Sequence, residues 1–261
     1  MTGEADRGRI LSHLRRDPLR HIVTLKMLGL FGRTMETRLI EDDAGWALLS
    51  LLPVRDSDFD HQMYPEAKFV VLVDGNSDGA KSALFGQLPS ESLVVKTYDS
   101  YTRCYLENHG AKPVRSFLSF TSSAPISSAP VTIPVLSSPD ADPEVNRLFA
   151  HNGYSPTEVT EHFKDGACWF GVKKEGKIVA AGMVFRNFEA IWEVGGLFTE
   201  TAHRRQGFAR AITATAIDYL LSHGRTPRYQ VRSDNIESIR LARSAGLQEF
   251  LRLDHYLIDR R

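Results

Sequence analysis

Apolar and polar residues recur along this chain of 261 residues at two different periods. A period of two is typical of strands with one buried face, and a spacing of about four places apolar side chains on one face of a helix. In the first half, the pattern predicts helices over residues 7–16, 19–31, 78–88 and 100–108. It predicts strands over residues 37–40, 46–52, 68–73, 91–96 and 114–120. Asp17 and Pro18 are expected to begin the second helix, as its N-cap and first helical residue.

The second half follows a segment without periodicity. Residues 121–130, TSSAPISSAP, are rich in Ser, Ala and Pro and are predicted to link two domains. Helices are predicted after it over residues 143–152, 155–163, 208–223 and 236–245. Strands are predicted over residues 167–173, 177–185, 190–194 and 228–232, followed by a final hairpin or paired strands over 247–258. We therefore expect an α/β domain over residues 1–128 and a second domain over 129–261, both of the α/β class with an α+β mixed sheet.

Residues 191–224 combine a strand, a basic loop and a helix, and they carry the chemistry. Gly195 and Gly196 interrupt the strand, which suggests a bulge or a close backbone approach. The loop that follows, RRQGFAR over residues 204–210, leads into the helix, whose first N–H groups have no internal partner and whose dipole favours an anion. Gly207 and Ala209 leave room near the backbone, and three arginines add positive charge. This environment suits a pyrophosphate.

Two motifs in this half resemble a known family. Leu197-Phe198-Thr199 and the R-x-x-G-x-A that follows at residues 204–209 resemble the signature of the GNAT superfamily of N-acetyltransferases. Downstream, Asn235 begins a segment that is similar to the family's N-x-x-A/S-x-x-L…G-F/L and ends at Gly246-Leu247. The strand, loop, helix, strand, Asn and helix follow in the family's order, and the resemblance covers roughly the last half of the chain.

The resemblance implies that acetyl-CoA is the co-substrate and that no metal is needed. The expected cofactor-binding residues are Leu197, Phe198, Thr199, Arg204, Arg205, Gln206, Gly207, Phe208, Ala209, Arg210 and Asn235. In the family, free backbone groups of this strand pair with the pantetheine arm like an added strand. A backbone N–H near Leu197 would then face the thioester carbonyl as an oxyanion donor. His151, Asn152 and Tyr154 lie where the family often forms its acceptor wall, although they are equally suited to cap a helix.

The proton-transfer residues are less clearly marked. Glu193, which lies before the two glycines, is the candidate general base; the competing interpretation is a solvated strand carboxylate or an ion pair with an arginine. The family's usual tyrosine on the last helix corresponds to Ala242, so this sequence departs from the pattern. Tyr256 is the candidate general acid, with Ser244 as a further possibility, and both also suit packing or capping.

The first half carries a faint copy of the second. Residues 94–120 can be laid over residues 230–256, so that Val95 matches Val231 and Gly110 matches Gly246. Chance similarity between α/β segments explains such an overlap equally well. If the repeat is real, residues 1–128 form a degenerate GNAT-like domain, as in proteins that resemble glycine N-acyltransferase. Because it lacks the R-x-x-G-x-A loop, this domain is not expected to bind coenzyme A.

Composition limits the partners. Lys+Arg and Asp+Glu both number 32, so the net charge is zero, which disfavours nucleic acid and anionic membranes as partners. Cys104 and Cys168 are isolated, and no signal peptide or membrane-spanning run is visible, so we expect a cytoplasmic protein. The expected function is acetyl transfer from acetyl-CoA to a small-molecule amine, with a protein amine possible. The alternatives are a non-catalytic acyl-CoA-binding or regulatory module and another kind of phosphate-binding α/β protein.

Overall fold

We describe a computed structural model over residues 4–124 and 133–259. The chain divides into two compact units. The first comprises Met1–Phe117 with Leu251–Arg261, and the second comprises Leu118–Phe250. The predicted boundary at 128/129 and most of the predicted linker lie outside the described residues, so the domain boundary stays a prediction.

The secondary structure alternates as predicted. The helices are α1 (Glu4–Leu14), α2 (Ile22–Phe31), α3 (Asp58–Met63), α4 (Asp78–Phe85), α5 (Ser100–Asn108), α6 (Pro143–Ala150), α7 (Pro156–Lys164), α8 (Phe208–Ser222) and α9 (Ile236–Ser244). The strands are β1 (Glu36–Asp42), β2 (Gly45–Pro53), β3 (Phe69–Gly75), β4 (Leu93–Thr97), β5 (Pro113–Thr121), β6 (Leu136–Ser138), β7 (Cys168–Lys174), β8 (Lys177–Phe188), β9 (Ile191–Thr199), β10 (Thr226–Arg232) and β11 (Gln248–Ile258). The mixed α/β class is therefore confirmed.

The first unit contains a mixed sheet in the order β1-β2-β3-β4-β11. β2 runs antiparallel to β1 and β3, β3 runs parallel to β4, and β11 runs antiparallel to β4. The central strands are continuous apolar runs that are buried along most of their length. Such runs are expected where both faces of a sheet are covered.

The last strand corrects two expectations. Residues 247–258 do not form a hairpin: they form the single strand β11, and Asp254 to Ile258 pair with Thr97 to Leu93. Leu251–Arg261 therefore belongs to the first unit rather than to the predicted second domain. The physical reason is that β11 completes the sheet beside the fully buried β4, a pairing between residues far apart in sequence.

The second unit contains the sheet order β10-β9-β8-β7-β6. The predicted hairpin is confirmed, because β7 and β8 pair up to Lys174 and Lys177 around Glu175 and Gly176. One core cluster packs the sheet against α8 and α9 and includes Phe170, Ile212 and Ala242. A second cluster packs the alternate side chains of β7 and β8 against α6 and α7. These side chains lie on the opposite face, since successive strand residues point to opposite sides.

Helix boundaries follow their capping residues. Gly224 adopts the expected left-handed conformation after α8, with φ of 67°. Asn235 caps α9 by accepting the backbone N–H of Ser238 at 3.1 Å. The start predicted for α2 is wrong, because the helix begins at Ile22. Asp17 instead caps a separate turn: its carboxylate accepts the Arg20 N–H at 3.1 Å, and its carbonyl accepts the His21 N–H.

The internal repeat is present at the level of elements. β4, α5 and β5 follow one another as β10, α9 and β11 do. The N-caps of the two helices, Asp99 and Asn235, both accept a backbone N–H from their first turn. Gly110 and Gly246 each follow the helix, before the second strand, and both have φ of 79°. The correspondence therefore includes the positions at which each helix is capped.

Candidate active site

The loop after β9 has the geometry of an anion-binding turn. Arg205 and Gly207 both have left-handed backbone, with φ of 63° and 84°. Turns of this kind can orient several N–H groups towards one anion. α8 begins at Phe208 without a side-chain cap, and the first backbone bond recorded across its start joins the Ala211 N–H to the Gly207 carbonyl. The N–H groups of residues 208–210 thus point out of the helix, as first-turn groups do.

The loop is also strongly cationic. Arg204, Arg205 and Arg210 are exposed. Within residues 4–124 and 133–259, no ion pair joins any of the three to a carboxylate. Glu200, an acid that follows β9 just before the loop, is paired with Arg147 at 2.8 Å. The positive charge of the loop is therefore available to a ligand.

A cavity of about 780 Å³ lies over this loop. It is lined by His151, Asn152, Leu197, Phe198, Thr199, His203, Arg204, Arg205, Gly207, Phe208, Ala209, Arg210, Asn235, Glu237, Ser238 and Leu241. Every predicted cofactor-binding residue except Gln206 is in this lining, so the structure brings together residues from β9, the loop, α8 and α9. Sequence reasoning missed Glu237, Ser238 and Leu241 on α9. Their signal was available, because Ser238 and Leu241 are three residues apart on the helix face that Asn235 begins.

β9 carries the predicted bulge. Met183 pairs with Gly195 and Ala181 with Phe198, so Gly196 and Leu197 together lie opposite Gly182. Gly196 has φ of 64°, a conformation that favours glycine. The recorded register between β9 and β10 ends at Glu193 and Arg228, before the bulge. Beyond that pair, the β9 edge that faces away from β8 borders the cavity.

Two carbonyls on this open edge are engaged by side chains. After β9, the N–H of Glu200 donates to the carbonyl of Val179 in β8 at 2.9 Å. Because backbone groups of successive strand residues point to opposite sides, Leu197 and Thr199 turn their groups away from β8. Asn152 Nδ2 donates to the Leu197 carbonyl at 3.0 Å. Arg204 Nε donates to the Thr199 carbonyl at 3.2 Å.

Glu193 is not in the cavity lining. Its carboxylate is buried and accepts hydrogen bonds from Arg228 Nη1 at 2.7 Å, Asn187 Nδ2 at 2.9 Å and the Gln230 N–H at 3.1 Å. The ion pair with an arginine, the competing interpretation of this residue, is thus present. Arg228 also donates to Ser119 Oγ at 3.1 Å. Glu193 therefore ties β10 to β9 where the two strands begin to separate.

The two alternatives considered for the general acid lie elsewhere. Tyr256 belongs to the first unit, is fully buried in its core and donates to Glu107 Oε1 at 2.8 Å. Burial, followed by the hydrogen bond to Glu107, raises the pKa of the Tyr256 phenol. Ser244 bonds to the Leu241 carbonyl within its own helix. Ala242, at the family's usual tyrosine position, is buried in the core. Neither Tyr256 nor Ser244 lines the cavity.

The predicted acceptor-wall residues are near the bulge. His151 stacks on Phe198 with ring centroids 4.4 Å apart, and Asn152 binds Leu197 as described above. Tyr154 places its hydroxyl against Gly195. Among the described residues, no group of three or more His, Cys, Asp or Glu side chains is placed to hold a metal. The helices within the described ranges are all too short or too polar to cross a bilayer.

Comparison with known proteins identifies the second unit. Residues 137–247 match the model of the acetyltransferase (GNAT) family. The chain therefore carries a GNAT acetyltransferase domain, which supports an acyltransferase function. No curated protein matches this chain in sequence.

Solved structures share the fold over most of the chain. One is an acetyltransferase from the GNAT family of Colwellia psychrerythraea, with a TM-score of 0.61 and 13% identity over 95% of this chain and 97% of that chain. A GCN5-related N-acetyltransferase from Kribbella flavida has a TM-score of 0.55 and 16% identity over 92% and 95% of the two chains. A tandem GNAT protein from the clavulanic acid biosynthesis pathway has a TM-score of 0.55 and 12% identity over 92% and 88%. The likeness in fold thus extends beyond residues 137–247.

Proposed function

We propose that this protein is an acyl-CoA-dependent N-acyltransferase that transfers acetyl from acetyl-CoA to a primary amine of a small molecule. The observation that carries the proposal is the cationic loop after the bulged strand β9. There, left-handed Arg205 and Gly207, the first residues of α8 and arginines that have no carboxylate partner among the described residues line one cavity.

The loop fits a pyrophosphate in both shape and charge. An added Cβ on Gly207 would meet Ile133 at 3.5 Å, so the backbone is approachable without rearrangement. Helix N-termini bind phosphate through free N–H groups and the helix dipole. Arginine adds planar donors that match phosphate oxygens. We assign the pyrophosphate to Arg205, Gly207 and Arg210, with Arg204 close by.

The open edge of β9 fits an amide-containing arm. Coenzyme A carries two amides in its pantetheine arm, and Leu197 and Thr199 turn their backbone groups towards the cavity. Since Asn152 and Arg204 hold the two carbonyls, we expect the arm to displace these side chains and to pair with the strand. Each carbonyl would exchange a side-chain donor for an amide of the arm, and each displaced side chain would bind water instead. The net free-energy cost of the exchange is therefore small.

The reaction needs few protein groups. The amine nitrogen attacks the thioester carbonyl, the C–S bond breaks, and the electron pair leaves on sulfur. The amine loses one proton and the thiolate gains one. Glu193 is retained as the candidate base, acting through water, although its carboxylate already accepts three hydrogen bonds. With Ala242 in place of the usual tyrosine, we assign protonation of the thiolate to solvent.

A thiol-release assay with acetyl-CoA and a panel of amines tests this proposal, alongside titration calorimetry of coenzyme A. We expect tight cofactor binding together with turnover on at least one small amine. Binding without turnover on any small amine or peptide amine would favour the non-catalytic acyl-CoA module. The absence of coenzyme A binding would refute both functions.

A further inference from the structure

The side chain of Tyr154 reaches the bulge of β9 from the loop between α6 and α7. An added Cβ on Gly195 would lie 2.9 Å from the Tyr154 hydroxyl, closer than real Cβ atoms pack. The neighbouring Gly196 has the left-handed backbone of the bulge, with φ of 64°. The next residue along the strand, Leu197, lines the cavity. The hydroxyl therefore occupies the point where the cavity-lining part of β9 meets the bulge.

Packing fixes the phenol in this position. The ring is half-buried and stands edge-on to Phe185 and His162, with centroid distances of 6.3 Å to each. The Phe185 ring lies 3.0 Å from the same Cβ position on Gly195. Two residues before Tyr154, Asn152 is anchored to the Leu197 carbonyl at 3.0 Å. The loop thus contacts β9 at two points.

The phenol is held in its neutral form. Burial is the largest cause that raises the pKa of Tyr154, and the charges of Glu193 and Glu158 raise it further. A neutral phenol donates one hydrogen bond throughout the range in which an enzyme works. The neutral hydroxyl therefore keeps a proton that it can donate to a ligand.

We propose that the Tyr154 hydroxyl is a second oxyanion donor, which hydrogen-bonds to the thioester carbonyl together with the backbone N–H near Leu197. This rests on the proposed function. When the amine nitrogen bonds to the carbonyl carbon, the carbonyl electron pair moves to oxygen. It returns as the C–S bond breaks and the electron pair leaves on sulfur. The amine proton goes through water to the candidate base Glu193, the thiolate takes a proton from solvent, and Tyr154 keeps its own. Gly195 is required here because any side chain would displace the hydroxyl.

The direct test is Tyr154→Phe, which retains the ring. Loss of one oxyanion donor typically costs about 10²–10³-fold in kcat. We expect that loss in acetyl transfer to the amine found above, with coenzyme A affinity and the thermal midpoint unchanged. The matched control is Tyr219→Phe on α8, whose ring packs edge-on to Phe170 outside the site and which should leave kcat unchanged. A Tyr154→Phe enzyme with the wild-type kcat would overturn the proposal.

A second variant displaces the hydroxyl without removing it. Gly195→Ala places a methyl group where the Tyr154 hydroxyl lies, and φ at Gly195 is not in the left-handed range. We expect a similar loss of kcat in the wild-type background and little further loss in the Tyr154→Phe background, since coupled residues are not additive. Equal losses in both backgrounds would mean that the methyl group acts by another route and would contradict the proposal.

A binding measurement separates this inference from the proposed function. The hydroxyl should favour acetyl-CoA over S-ethyl-CoA, a thioether of the same size without the carbonyl. We compare the dissociation constant of S-ethyl-CoA with that of acetyl-CoA. In Tyr154→Phe, we expect the first divided by the second to fall about tenfold, the equivalent of about 1.4 kcal/mol. If wild-type protein binds neither compound, the proposed function fails. If it binds both and the ratio is the same in the variant, only the role of Tyr154 fails.

Discussion

Each unit contains a connection from a strand to a helix: β9 to α8 in the second unit, and β3 to α4 in the first. The two connections differ in how the helix begins. After β9, the chain makes a loop with left-handed Arg205 and Gly207, and α8 begins without a side-chain cap. After β3, a tight turn leads to Ser77, whose hydroxyl caps α4 by accepting the Ala80 N–H. The start of α8 therefore has no side-chain cap, whereas at the start of α4 a side chain accepts one of the first-turn N–H groups.

The turn in the first unit satisfies its own polar groups. The N–H groups of Asn76 and Ser77 both donate to the Trp46 carbonyl, at 3.0 and 3.1 Å. Ser77 donates to Asp42 at 2.6 Å, and Asp78 adds a negative charge to the first turn of α4. The negative charges of Asp42 and Asp78 disfavour an anion there, and Ser77 already accepts one of the first-turn N–H groups. The sequence expectation that this half does not bind coenzyme A keeps a physical basis.

The strands differ in a matching way. β3 keeps a regular register with β2 from Phe69 to Gly75. β9 has the bulge at Gly196 and Leu197 and separates from β10 after Glu193. The strand before the helix is therefore paired with β2 along its whole length at β3 and has a partly unpaired edge at β9. The difference depends on the glycines of the bulge and the loop, and on positive charge after β9 in place of the negative charge of Asp78 after β3.

The largest effect is expected at the start of α8. Gly207→Glu should abolish coenzyme A binding, because the carboxylate would repel a pyrophosphate and the residue needs φ of 84°. Gly79→Glu, in the exposed first turn of α4, is the matched control and should leave the affinity unchanged. Titration calorimetry of both variants tests this, and unchanged affinity in Gly207→Glu would refute the assignment of the loop.

A smaller effect is expected at the buried carboxylates of the two strands. If Glu193 is the base, Glu193→Gln should slow turnover by about 10²–10⁴-fold at neutral pH and leave coenzyme A affinity nearly intact. Both Glu193→Gln and its control in β3, Asp74→Asn, should lower stability, since each carboxylate is buried among donors. Only the first should change turnover per folded molecule.

Arg228 separates the two roles of Glu193. Removing one partner of a buried ion pair typically costs about 3–5 kcal/mol, and removing both costs less. The double variant Glu193→Gln with Arg228→Gln should therefore regain stability without regaining rate. If rate returns together with stability, Glu193 only joins β9 to β10, and the amine uses another base.

The smallest effect is expected from Tyr256→Phe. This change removes the hydrogen bond to Glu107, a bond to a charged group that is worth about 1.5–3 kcal/mol. Because Tyr256 lies in the core of the first unit, we expect the thermal midpoint to fall while turnover per folded molecule stays the same. A tenfold or greater loss of kcat in folded protein would instead restore the candidate role as general acid.

The sequence by itself predicted what depends on short-range physics. Helix and strand periods, the cap at Asn235, the bulge at Gly196 and the basic loop are all determined within a few neighbouring residues. The predicted cofactor-binding set came from the resemblance of the local motifs to the GNAT family, and all of it except Gln206 lines one cavity. Short sequence motifs were sufficient to predict most of this set, because most of its residues lie on one strand, the loop after it and the start of one helix.

Only the tertiary structure decided the pairings between distant residues. β11 pairs with β4 of the first unit. The alternation of apolar and polar residues over 247–258 would be the same for one long strand as for a hairpin, so it did not predict this pairing. Glu193 finds Arg228 on β10, and a strand carboxylate has the same local sequence whether it meets solvent or an arginine. Tyr154 reaches Gly195 across a gap of 41 residues in the sequence. Such contacts depend on how the chain closes loops and on which side chains then share a buried space, and neither is encoded in the local pattern.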